Sequence, residues 1–145
     1  MNSTPEIVDV SRQTMTGIIR TYVNEFVKDN DFVVASVVVS SDGHLVAGAQ
    51  KKEYSLDRLS ALGSTFMALG DSLAGEVAMG GCKDVIAELD GGIVAFMHVT
   101  RNVAIASVSD SSRSLGLLLS STRGCIDSIL RELKSLPKTK EEATN

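Results

Sequence analysis

The chain has 145 residues, 22% of them charged, and a formal net charge of -4. That length suits one domain, and a mildly acidic chain without a Lys/Arg block argues against nucleic acid or an anionic membrane as partner. Aromatic residues make up 4% and Trp is absent, which leaves little for base stacking or an aromatic ligand cage.

Ser3, Thr4, Pro5 and Glu6 form a helix start, with a capping hydroxyl, a proline in the first turn and an early carboxylate. Met15, Ile18, Ile19, Tyr22 and Phe26 then make one apolar stripe, so a first helix is expected from about Pro5 to Lys28. The run from Phe32 to Ser40 is β-branched and apolar at nearly every position, the pattern of a strand covered on both faces. Asp42-Gly43 is a hairpin turn signal, and Leu45 to Gln50 returns as a second strand.

The stretch from Ser55 to Gly81 reads as the central helix, with Ser55 as N-cap and Gly80-Gly81 ending it in the left-handed conformation. Leu59, Leu62, Phe66, Leu69 and Leu73 follow helical spacing and are assigned to the protein's own core. A neighbouring stripe of mostly small residues, Gly63, Met67, Gly70, Ala74 and Ala78, suits close approach by another backbone and is assigned to a second copy of the chain. Asp57, Arg58, Ser64, Thr65, Asp71, Ser72 and Glu76 form the solvated remainder.

Lys83 to Asp90 alternates, with Val85, Ala87 and Leu89 expected inward and Asp84, Ile86, Glu88 and Asp90 outward. Gly91-Gly92 turns the chain into a strand from Ile93 to Val99, and Thr100 to Asn102 turns it again into Val103 to Val108. A last helix is expected from about Arg113 to Leu136, with the stripe Leu115, Leu118, Thr122, Ile126, Ile129 and Leu133 and a stop at Pro137. The domain is thus residues 1–136, and the charged stretch 137–145 is expected to be a disordered tail. Met1 to Gln13 is too polar for a signal peptide, and Phe32 to Val39 is far short of the roughly 20 apolar residues of a membrane span. A cytoplasmic protein is expected.

Catalytic chemistry has little to stand on. The chain lacks the G-x-S-x-G, H-E-x-x-H, G-x-x-x-x-G-K and G-x-G-x-x-G patterns. His44 falls at a hairpin tip and reads as solvated; His98 falls in an apolar strand and reads as half-buried and structural. Cys82 and Cys125 fit no metal spacing and read as packing thiols. Asp84, Glu88 and Asp90 share one strand face, which is more often solvated than cation-binding. Arg101 and Arg113 lie at turns, and Ser107–Ser114 reads as loop and helix cap. No catalytic residue, cofactor or metal is assigned.

The order helix, two strands, helix, three strands, helix resembles the roadblock family, the dynein light-chain type of small α/β domain. The likeness covers about residues 12–134. It rests on the hairpin VVVSSDGHLVAGA, the helix LSALGSTFMALGDSLAGEVAMGG, the run VIAELDGGIVAFMHVTRNVAIASVSD and the Leu115-Gly116-Leu117-Leu118 start of the last helix. The resemblance implies a profilin-like α+β fold: a five-stranded antiparallel sheet of order 2-1-5-4-3, the central helix on one face and the terminal helices on the other. It also implies a homodimer paired through the central helices and the third strand. Carried onto this chain, that interface is Gly63, Met67, Gly70 and Ala74 with Asp84, Val85, Ile86, Ala87 and Glu88. Bacterial single-domain members resemble regulators of small Ras-like GTPases, which implies a non-catalytic regulator with a partner platform at Asp57, Arg58, Ala61, Ser64, Thr65, Ala68 and Asp71. A pure dimerisation or adaptor subunit and a small-molecule sensor are the competing classes.

Overall fold

The computed structural model describes residues 3–136. The elements run α1 (Ser3–Asp29), β1 (Val33–Ser40), β2 (Leu45–Gln50), α2 (Leu56–Glu76), β3 (Asp84–Leu89), β4 (Gly92–Thr100), β5 (Val103–Ser109), a short 3₁₀ turn (Ser112–Ser114) and α3 (Leu115–Lys134). Helix α1 begins at Ser3, ahead of the expected start near Pro5, while the stop at Pro137 and the tail lie outside the described residues.

The five strands form one antiparallel sheet in the order β2-β1-β5-β4-β3. β1 sits inside it, and its residues Val33 to Val39 are all buried. Strand alternation explains why: Val37 and Val39 point to the α2 side, while Val38 points to the side covered by α1 and α3. A strand with helices on both faces has no wet side, so nearly every position is apolar.

The larger core lies between the sheet and α1/α3. Ile19, Val23, Phe26, Ile93, Met97, Ile105, Leu118 and Ile129 meet there, each contributing about 1.5–3 kcal/mol by burial. The stripe of α3 faces it as its periodicity predicts, with Leu118, Thr122, Ile126 and Ile129 buried. A polar thread runs through this layer. Thr122 Oγ1 lies 2.6 Å from the Leu118 carbonyl and 3.1 Å from Ser107 Oγ, and the Ser36 hydroxyl donates to the Ala106 carbonyl at 2.9 Å. These buried hydroxyls are satisfied, as burial requires.

The smaller core lies under α2: Val37, Val39, Met67, Phe96, Ala104 and Ala106, flanked by Leu56, Leu59, Phe66, Val85 and Val94. The β1–β2 turn needs a left-handed residue, supplied by Gly43 at φ 88. The Ser40 hydroxyl donates to Asp42 there and holds its carboxyl below the ordinary carboxylate range.

Candidate functional site

Helix α2 begins where Ser55 Oγ accepts from the Arg58 amide at 3.3 Å, with Asp57 in the first turn. It runs from above β2 toward β3. A Cβ built on Gly48 of β2 would lie 3.0 Å from Leu56 at the start of the helix, and one on Gly70 would lie 2.6 Å from Cys82 and 2.9 Å from Val85 near its end.

The structure sorts the residues of the two stripes differently from the sequence reading. Gly63 and Met67, assigned there to a second copy, are buried against the protein's own sheet. A Cβ on Gly63 would meet Val39 at 3.5 Å and Phe96 at 3.6 Å, and Gly70 and Ala74 are half-buried on the same side. The small residues do admit a close backbone, but that backbone is the sheet beneath. Of the stripe assigned to the core, Leu59 and Phe66 do pack on the small core. Leu62, Leu69 and Leu73 instead point to solvent, 53%, 60% and 65% exposed.

The helix also ends earlier than expected. Its last residue is Glu76, and the left-handed position is taken by Ala78 (φ 54), with Gly80 at φ 89 beyond it. The Met79 amide donates to the Ala74 carbonyl and the Ala78 amide to the Gly75 carbonyl, the paired bonds of a Schellman turn. This turn projects Val77 and Met79, 47% and 81% exposed, beyond the leucines.

β3 is one of the two edge strands, β2 being the other. Val85 and Ala87 are half-buried on the α2 side, but Leu89 is 57% exposed there. On the other face Ile86 and Glu88 are exposed as expected, whereas Asp84 turns inward: Arg123 of α3 donates to its carboxylate, and that side chain is only 17% exposed. So Asp84, Glu88 and Asp90 are not one solvated triad. Leu62, Leu69, Leu73 and Leu89 thus leave an apolar flank beside the sheet edge, an exposure that marks a contact surface.

The opposite flank of α2 is polar and faces the two hairpin turns. Ser64 Oγ donates to the Ser41 carbonyl at 2.8 Å. His98, half-buried on β4, approaches both oxygens of Asp71 through Nε2 at 3.2 Å. Its Nδ1 is buried with no partner. Nε2 is therefore the ring nitrogen placed to donate to the carboxylate. Asp57, Arg58, Ala61, Thr65 and Ala68 of the same helix are exposed. His44 is solvated, within 3.5 Å of Asp42. Burial raises both cysteine thiols, Cys125 to about 12, and Cys82 further through Asp71 and Asp84. Among the described residues no three His, Cys, Asp or Glu group as a metal site, and no helix is long and apolar enough to cross a membrane.

Together these features define a profilin-like sandwich whose distinctive chemistry lies on the exposed helix α2 and the sheet edge beside it. Residues 23–109 match the Roadblock/LC7 domain model, and the chain belongs to that family. Among solved structures it is similar to Myxococcus xanthus MglB, at 19% identity over 86% of this chain and 94% of that one, with a TM-score of 0.76. It is similar to the Roadblock/LC7 domain from Streptomyces avermitilis, at 19% identity over 80% and 98%, with a TM-score of 0.71. Schizosaccharomyces pombe profilin shares the fold at 14% identity over 77% and 95%, with a TM-score of 0.56. No curated protein matches the chain by sequence.

Proposed function

We propose that the protein is a homodimeric, non-catalytic regulator that uses the apolar flank of α2 to pair with itself and the polar flank to meet a small Ras-like GTPase in the cytoplasm. The carrying observation is the row Leu62, Leu69 and Leu73, which a monomer leaves in water. Burying three leucines on each of two copies contributes roughly 1.5–3 kcal/mol per side chain before association costs. A two-fold axis beside β3 would join the edges of both sheets through Asp84, Val85, Ile86, Ala87 and Glu88, satisfying backbone groups that an edge leaves bare. In this reading the helix part of the interface passes from Gly63 and Met67, which are buried in the protomer, to the three leucines. Gly70 and Ala74 lie between the two.

The GTPase half of the reading rests on the family's bacterial regulators and on the exposed residues Asp57, Arg58, Ala61, Thr65 and Ala68 with Asp71. GTP turnover of purified Ras-like GTPases, measured with and without this protein, tests it. A changed hydrolysis or exchange rate supports regulation. Binding with an unchanged rate leaves an adaptor, and no binding by any GTPase overturns the proposal.

A further inference from the structure

A cavity of about 100 Å³ opens on the polar flank, at the seam between α2 and the β1–β2 and β4–β5 turns. Val39, Met67 and Ala104 form its apolar floor, and Ala68, Asp71 and Arg101 stand at its mouth. We propose that this cavity is the anchor pocket of the partner-facing flank, filled by one Val, Ile or Leu side chain of the GTPase; this rests on the reading above that a GTPase meets that flank.

Size favours a single branched aliphatic group. A dry cavity of about 150 Å³ holds benzene, so this smaller one suits an isopropyl or isobutyl group. The pocket stays open because the residues around it are short: Ser41, Ser64, Ala68 and Asn102 cannot fill it themselves. An apolar floor inside a polar rim is the arrangement in which a few interface residues carry most binding energy. The rim holds charges of both signs. Asp71 is oriented by His98, and Arg101 has no ion-pair partner among the described residues. Flanking charges on the partner can therefore set its orientation without being buried. The pocket also lies across the helix from Leu62, Leu69 and Leu73, so a self-paired dimer leaves it accessible on both copies. Its occupant is then a different chain.

The test is titration calorimetry of the full chain against purified Ras-like GTPases loaded with a non-hydrolysable GTP analogue. Ala68→Leu fills the mouth from within, and Ser72→Leu adds the same side chain at an exposed position of the same helix that lies outside both the cavity and the platform residues. Ala68→Leu should weaken binding roughly tenfold or more, the effect of closing a fitted apolar pocket, while Ser72→Leu stays within about threefold. Melting temperature and solution mass of both variants should match the wild type, which excludes misfolding as the cause. Wild-type affinity in Ala68→Leu, or an equal loss in Ser72→Leu, overturns the pocket while leaving the GTPase reading intact. A wild-type protein that binds no GTPase overturns both.

Discussion

The two flanks of α2 are built from the same helix yet solve opposite problems. One holds Leu62, Leu69 and Leu73 in solvent. The other is tied down by Ser64 to the Ser41 carbonyl and by Asp71 to His98. An exposed leucine row is costly in a monomer, and in the proposed function a second copy covers it. A polar flank with an open cavity tolerates water and suits a partner that comes and goes. Under the proposed function, the two flanks would serve a lasting contact and a regulated one.

The largest expected effect removes the floor both flanks share. Even a Cβ at Gly70 would press on Cys82 and Val85, so Gly70→Leu should cost about 3 kcal/mol or more by overpacking. Urea unfolding reads this as a lower midpoint, with pairing and partner binding lost together. It is a test of how α2 sits on its own sheet, not of the interface itself. A smaller effect of the opposite sign is expected just beyond the apolar flank. Ala78 sits in the left-handed region at φ 54, where glycine is favoured by about 1 kcal/mol. Ala78→Gly should raise the melting temperature without changing solution mass.

On the polar flank, Asp71→Ala removes the acceptor of His98. Because Asp71 is half-exposed, the stability loss should be only about 0.5 kcal/mol, while GTPase binding falls and the dimer is untouched. Thiol labelling should separate the layers with the least perturbation. Burial pushes Cys125 up to about 12, so at pH 8 a thiol reagent should modify the less enclosed Cys82 first. The same shift has a sign for stability. The folded thiol holds its proton more tightly than the unfolded one, so stability should be complete below pH 9.0 and fall as pH rises toward 12.

Much of this was legible in the residues. The doubly apolar run from Val33 to Val39 announced a central strand, Asp42-Gly43 a turn, and the Leu118 to Ile129 spacing the inner face of α3. Helical periodicity also found both stripes of α2 but could not say which faced the sheet. Hydrophobicity favours the leucines for the core only if the chain has no second copy to cover them. Side-chain size decides the matter, since Gly63 and Gly70 let the helix lie close to Val39, Phe96 and Val85. The left-handed stop at Ala78 was hidden because glycine is the ordinary residue there and two glycines follow. Asp84 was hidden because its partner, Arg123, lies 39 positions away. The seam cavity and the His98–Asp71 contact depend on three elements meeting, which no local pattern records.

The leucine row carries the proposed pairing of two copies. Light scattering across a dilution series should give the wild-type chain a mass near twice 15.4 kDa, and Leu69→Glu/Leu73→Glu a mass of one chain with an unchanged melting temperature for the protomer. A monomeric wild type, or a double variant that still pairs, would contradict it.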